Sequence, residues 1–334
     1  MENENAVKSR ACYLDKGVIL SGAPSGEPFP GYDKPGLYTP AVMKDYVLPE
    51  WAKTLFACWL QNKQLGALYV SGPSGCGKTS AIKQVAALAN WPVYECTAHS
   101  RLEMSDLIGH LTMTRTGGME FQYGPLSLAM RDGGIFLLNE LDLLDPAIAV
   151  GLNTVLDGAP LVIPENGAEV IRPHKRFRFV ATANSFGSGD DSGMYTGVLV
   201  QNMALMDRFS VIRAEYIPED VEFGILAKHK GDIPDDVLKG MVQLATAVRK
   251  ANGSGDSVVP VAKVFSTRSL VQWADWTNMA AAVAKPDGPS PLRIGLDVAL
   301  LNTCTVSDRV AIIEMANRIF GNGVIGEDGD IGNN

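Results

Sequence analysis

The sequence predicts an α/β fold, a parallel sheet flanked by helices, with a small helical domain after it. Three observations carry this. The stretch Ser71-Gly72-Pro73-Ser74-Gly75-Cys76-Gly77-Lys78-Thr79-Ser80 follows a short apolar β-former, Ala67–Val70, and precedes apolar residues at helical spacing, Ala81–Ala89. Two further apolar runs, Gly134–Leu138 and Phe177–Ala183, end in the polar residues Asn139 and Asn184, as buried parallel strands do at a ligand-binding edge. From about residue 216 the texture changes to helices and loops.

Composition sets the outer bounds. A chain of 334 residues, 46% hydrophobic and 20% charged, is long enough for two cores. No apolar run approaches about 18 residues, so no membrane span is expected. The N-terminal MENENAVKSR is polar and lacks the apolar core of a signal peptide. Five scattered cysteines without a C-x-x-C pair suggest a reducing, cytoplasmic setting and no zinc site. The net charge of −8 speaks against a general nucleic-acid coat.

Taken in order, residues 1–40 are rich in Gly and Pro and read as an extended arm. Residues 40–64 read as helical, with Tyr46, Val47, Trp51, Leu55, Phe56 and Trp59 on the apolar face. Pro92–Cys96 is a second strand and Met104–Ile108 a short helix. Residues 110–124 read as a hairpin inserted into what would otherwise be one helix, resumed at Pro125. A second hairpin, over 160–172, turns at Asn166-Gly167. The cluster Arg172, His174, Lys175, Arg176 and Arg178 reads as a solvated face or, alternatively, as a phosphate-meeting patch. A short helix over 202–208 leads to a strand at Phe209–Ile212. The α/β domain is thus expected over 41–215 and a helical lid over 216–321, with helices at 235–251, 269–284 and within 296–320. Residues 322–334, Gly-rich and acidic, read as a disordered tail.

The first motif has the pattern G-x-x-x-x-G-K-T of a Walker A phosphate-binding loop, in its strand–loop–helix setting. Gly72, Gly75 and Gly77 let backbone N–H groups face a phosphate, and the helix starting near Lys78 adds its positive end. Candidate nucleotide-binding residues are Gly72, Pro73, Ser74, Gly75, Cys76, Gly77, Lys78, Thr79 and Ser80. The Lys78 ammonium would reach the β- and γ-phosphates, and the Thr79 hydroxyl would ligate Mg²⁺. No N-K-x-D guanine motif is present, which favours ATP over GTP. Gly134–Asp142 resembles Walker B, usually four apolar residues followed by Asp-Glu. Glu140 stands where a general base for the attacking water is expected. The metal-side position holds Asn139, an amide without charge, so weaker Mg²⁺ affinity or slower turnover is expected. Asp142 and Asp145 are alternative carboxylates, with a register that favours structural roles.

These motifs in this order resemble the AAA+ ATPases, and among them the MoxR group and its CobS type, the ATPase subunits of aerobic cobaltochelatase. The most specific segments are Ile171–His174, Phe177-Arg178, Ala181–Asn184, Gly189-Asp190, Gly193–Tyr195 and Met206–Phe209. Leu301–Cys304 and Asn317–Gly321 also look like that group's C-terminal end. The resemblance implies an AAA+ core with a helical lid, Asn184 at the sensor-1 position, Arg208 as an arginine finger acting on an adjacent subunit, and Arg268 as the sensor-2 arginine. It places residues 110–124 at the helix-2 insert and 160–172 at the pre-sensor-1 hairpin. It further implies a hexameric ring that remodels a partner bearing a von Willebrand factor A domain. Two alternatives stay open: the ATPase subunit of a metal chelatase, and a nucleic-acid-associated motor whose support is the 172–178 basic cluster.

Overall fold

A computed structural model describes residues 9–187, 197–229, 231–253, 261–283, 285, 288–321 and 323–326. The chain forms two compact units, Met1–Pro73 with Lys78–Glu215, and Ser74–Gly77 with Tyr216–Asn334.

The first unit opens on β1 (Ala11–Asp15), α1 (Lys16–Ser21) and β2 (Pro28–Tyr32), with β1 and β2 antiparallel. This corrects the extended arm expected for residues 1–40. Asp15 organises the connection: its carboxylate accepts from the N–H groups of Val18, Ser25 and Gly26, and those bonds hold its carboxyl at about 2. Phe29 is fully buried, and the Trp91 indole donates to the Pro30 carbonyl. The Gly/Pro content was a sign of tight turns here, not of an unpacked chain.

The helix expected from residue 40 begins only at Glu50. A wide π turn over Ala52–Phe56 runs into α2 (Ala57–Gln61). The π turn changes the angular spacing, so Leu55, assigned to the apolar face, is 54% exposed while Phe56 and Trp59 are buried.

Next come β3 (Ala67–Ser71), α3 (Lys78–Leu88), β4 (Val93–Thr97), α4 (Met104–Ile108), β5 (Gly109–Met113), β6 (Met119–Tyr123), α5 (Pro125–Asp132) and β7 (Gly134–Asn139). They are followed by α6 (Pro146–Gly151), α7 (Asn153–Leu156), β8 (Leu161–Ile163), β9 (Glu169–Ile171), β10 (Phe177–Ala183), α8 (Met203–Met206) and β11 (Phe209–Arg213). Five strands make one parallel sheet in the order β11-β3-β10-β7-β4. The glycine-rich loop therefore leaves a strand flanked on both sides. In β7, Ile135, Phe136, Leu137 and Leu138 have no exposed surface. Each such burial is worth about 1.5–3 kcal/mol, which fixes the register and so the position of the polar residues at the strand end.

The two inserted hairpins are β5–β6 and β8–β9. At the root of the first, a Cβ on Gly109 would lie 2.3 Å from the Gln122 carbonyl and one on Gly124 would lie 2.4 Å from the Leu107 carbonyl. Glycine lets the interrupted helix close up beneath the insert. The hairpins are tied to each other: the Tyr123 hydroxyl donates to Glu169 at 2.7 Å, and the Asn166 amide donates to both.

The basic cluster divides: Arg172, His174 and Lys175 are exposed, and Arg176 and Arg178 turn inward. The Arg176 guanidinium donates to the carbonyls of Gly31 and Cys12 and lies over the rings of Tyr32 and Trp91. Arg178 is buried, donates to the Leu60 carbonyl, and is pushed down to about 10 by desolvation and the neighbouring Arg176 charge. Both are committed to the frame.

The second unit carries α9 (Glu219–His229), α10 (Asp235–Gly253), α11 (Thr267–Ala281), α12 (Pro291–Ala299) and α13 (Val306–Phe320) around its own core, including Leu244, Phe265, Trp273 and Ile312. Glu222, 1% exposed, takes both prongs of the Arg249 guanidinium at 2.8 and 2.9 Å. Arg249 also stacks at 4.1 Å over Tyr216, whose hydroxyl donates to the Ser74 carbonyl. The expected tail is packed at its start: Ile325 is buried and its carbonyl accepts from Arg293. Residues 322 and 327–334 lie outside the described residues, as do Gly189-Asp190 and Gly193–Tyr195.

Candidate nucleotide site

The loop between β3 and α3 has the backbone its glycines predict. Gly75 and Gly77 have φ of +72° and +89°, in the region open mainly to glycine. A Cβ on Gly72 would sit 2.1 Å from the Ala214 carbonyl oxygen, so this position has no room for any side chain. Ser74–Gly77, with buried Cys76, group with the second unit. Gly72, Pro73, Lys78, Thr79 and Ser80 belong to the first.

Lys78, the first residue of α3, is 8% exposed. Its Nζ donates to the carbonyls of Gly72 and Pro73 at 2.6 and 3.0 Å and to Asn184 Oδ1 at 3.0 Å. The Asn184 Nδ2 in turn donates to Glu140 Oε2 at 2.7 Å. One residue from the start of α3 and two from just past the ends of β7 and β10 thus form one chain: Lys78, Asn184, Glu140. The backbone of Asn184 is fixed from below, because the buried Asp142 carboxylate accepts from the N–H groups of Asn184 and Ser185 at 2.9 and 3.1 Å. Asp145 caps α6. Asp142 thus uses Oδ2 to hold backbone, while its Oδ1 is buried without a hydrogen-bond partner among the described residues.

Glu140 occupies the left-handed region, φ 56° and ψ 44°. A non-glycine residue held there costs energy that the surrounding structure must supply, as is common at functional sites. Burial, then the Asp142 charge, push the Glu140 carboxyl above its ordinary range. Lys78 and the Asn184 amide act the other way.

A second chain runs beside the first. The Thr79 hydroxyl donates to Asn139 Oδ1 at 2.7 Å, and the Thr182 hydroxyl donates to the same oxygen at 3.0 Å. The Asn139 Nδ2 donates to Glu95 Oε1 at 2.7 Å. Glu95 Oε2 pairs with the Lys83 ammonium at 2.5 Å. Glu95 and Lys83 had not been picked out from sequence. Lys83 stands four residues after Thr79, hence on the same helix face, which is the signal that could have found the pair.

These residues fit a magnesium–nucleotide. The Thr79 and Asn139 oxygens are hard donors of the kind Mg²⁺ takes alongside phosphate and water. The Lys78 ammonium, held by the Gly72 and Pro73 carbonyls, supplies a cation of the kind a phosphate takes. Among the described residues no cluster of three or more His, Cys, Asp or Glu forms an all-protein metal site.

Two further residues are expected at the site, Arg208 and Arg268. Arg208, just after α8, makes a two-pronged pair with Asp157 at 2.8 and 3.1 Å and also donates to the Ala204 carbonyl. Arg268 lies in the second unit, exposed in the first turn of α11. A cation there opposes the helix dipole, so helix stability does not account for it.

Residues 67–209 match the model of the AAA domain, dynein-related subfamily, and residues 222–301 match the CbbQ/NirQ/NorQ C-terminal model. The chain is 31% identical over 301 residues to the aerobic cobaltochelatase subunit CobS of a Sinorhizobium species, covering 87% of this chain and 86% of that protein. It is 30% identical over 211 residues to Midasin of Dictyostelium discoideum, covering 62% of this chain and 3% of that protein. A solved structure of a Thermotoga maritima RuvB variant has the same fold, with a TM-score of 0.51 at 13% identity, covering 84% of this chain and 81% of that one. Among the described residues no helix is long and apolar enough to cross a membrane.

Proposed function

Because this chain belongs to the MoxR/CobS-type AAA+ ATPases, we propose that it forms a ring, hexameric as in that group, in which ATP hydrolysis remodels a protein partner bearing a von Willebrand factor A domain. The observation that carries the hydrolytic part is the Lys78–Asn184–Glu140 chain. Gly72–Ser80 bind the phosphates, with Lys78 on the β- and γ-phosphates. Asn184 places the attacking water between Lys78 and Glu140. Glu140 takes its proton. Thr79 and Asn139 would hold Mg²⁺, which neutralises charge on the β- and γ-phosphate oxygens. Loss of a formal charge at Asn139 is the reason to expect slow turnover.

Arg208 serves the neighbouring subunit, and Arg268 stabilises charge on the γ-phosphate. Support for Arg208 in trans is that its bonds here go to Asp157 and Ala204, neither of which belongs to the Lys78–Asn184–Glu140 chain. The tied hairpins β5–β6 and β8–β9 transmit the motion to the partner. A second reading, the ATPase subunit of a metal chelatase, is favoured by the identity to CobS. The nucleic-acid motor is less favoured, since Arg176 and Arg178 are spent on the frame, which leaves Arg172, His174 and Lys175 of that cluster exposed.

Mixing tests the ring. ATPase per subunit should rise with protein concentration, and Arg208→Ala mixed with Glu140→Gln should recover part of the activity each lacks. Purely additive inactivity at every ratio contradicts action in trans. Affinity capture of the Glu140→Gln chain with ATP should bring down the von Willebrand partner. Capture of a large chelatase subunit instead selects the second reading.

A further inference from the structure

We propose that Glu95 is a positioning residue for the magnesium side of the site, and that Glu95 with Asn139 replaces the aspartate usual at the end of this strand. The inference rests on the nucleotide-binding reading above and goes beyond it by assigning a residue that none of the motifs contains.

The geometry is a closed circuit. Thr79 reaches Asn139, Asn139 reaches Glu95, Glu95 reaches Lys83, and Lys83 returns to Thr79 along one turn of α3. Asn139 is 7% exposed, so its amide cannot turn to solvent. Its two ends are chemically distinct, an acceptor and a pair of donors. Thr79 and Thr182 do not by themselves decide which end faces them, since a hydroxyl donates or accepts. Glu95 does decide. An ionised carboxylate only accepts, so Nδ2 must face Glu95 and Oδ1 must face Thr79. The oxygen is thereby turned to Thr79, with which it would hold Mg²⁺. A ligand oriented by a carboxylate behind it is a recurring device at metal sites.

The same circuit explains why the strand ends in asparagine. An aspartate at 139 would set an oxygen against Glu95 Oε1 at the 2.7 Å now spanned by a hydrogen bond. Two like charges at that separation repel. The negative charge of this corner therefore sits on Glu95, with its far oxygen on Lys83, and the amide relays its orientation. Glu95 is about one-third exposed, 35% at the side chain, so the pair acts through direction more than through buried charge.

The test is nucleotide affinity, measured with a fluorescent ATP analogue in Mg²⁺ and again in EDTA, the ratio being the readout. A merely structural role for Glu95 moves both affinities together. Orientation of Asn139 moves only the Mg²⁺ value. Glu95→Leu should lower the ratio about tenfold with the EDTA affinity unchanged, and Glu95→Gln, which keeps an acceptor, should lower it less. Asn139→Asp should lower the ratio in the presence of Glu95, although it restores the usual residue. In the Glu95→Gln background the same change should bring the ratio back to within about twofold of the wild type, a coupling within the range seen for contacting residues. An unchanged ratio in Glu95→Leu overturns the proposal, as does an Asn139→Asp gain that is the same with Glu95 and with Gln at 95. Absence of nucleotide binding by the wild-type chain overturns the nucleotide reading as well, and so is told apart.

Discussion

Two carboxylates of the first unit, Glu95 and Glu140, each accept from an asparagine amide at 2.7 Å, one from Asn139 and the other from Asn184. Their surroundings differ. Glu95 has a lysine on its second oxygen and one-third of its side chain in solvent. Glu140 is half-buried, near the Asp142 charge, on a strained backbone, with its carboxyl pushed up. The first environment suits a fixed anion that orients a neighbour. The second suits a base, whose proton affinity must be high enough to take a proton from water. The same pairing of residue types thus serves binding in one place and proton transfer in the other, and the difference lies in what stands behind each carboxylate.

The comparison is broken most directly at Glu140. Glu140→Gln keeps the shape and an acceptor for Asn184 but removes the base. Steady-state ATPase should fall by about 10²–10⁴, with nucleotide affinity within about twofold of the wild type. A proportionate loss of affinity would put Glu140 in binding instead. Asn184→Ala is expected next in size. It removes the link from Lys78 to Glu140, and loss of a hydrogen bond to a charged group, about 1.5–3 kcal/mol, corresponds to a fall of roughly 10- to 100-fold in kcat.

The smallest effect is in pH. A base must be ionised, and the Glu140 carboxyl is raised, so activity should be lost on acidification at a higher pH than an ordinary carboxylate would give. Asp142→Asn removes the charge that contributes to this and should move the acid limb of the kcat profile downward. A limb that stays in place, or moves up, would assign the titration to another group.

Much of the site was legible because its chemistry needs particular residues in contiguous motifs. Gly72, Gly75 and Gly77 answer to backbone requirements that few other residues meet, and Lys78, Thr79 and Glu140 stand at set distances from apolar strands. The parallel sheet was legible from the same runs. What escaped reading depends on contacts between distant segments. Glu95 is an ordinary acid near a strand end until β4 is paired with β7. Arg176 looked like solvated charge, yet it is held by carbonyls 145 and 164 residues earlier in the chain. The N-terminal hairpin escaped because its turns use the Gly and Pro that also mark unpacked chain, and Leu55 was misplaced because periodicity assumes an unbroken α-helical spacing. The roles of Arg208 and Arg268 come from resemblance, and what the structure adds is that Arg208 bonds to Asp157 and Ala204, outside the two amide–carboxylate chains.

The central claim, that the two carboxylates divide binding from proton transfer, meets its most direct test in one side-by-side measurement. Glu95→Leu and Glu140→Gln would each be assayed for single-turnover hydrolysis at saturating nucleotide and for analogue affinity with and without Mg²⁺. The account predicts opposite losses: a reduced Mg²⁺ advantage with the hydrolytic step largely kept at saturation for Glu95→Leu, and full affinity with hydrolysis lost for Glu140→Gln. Matching losses in the two variants would contradict it.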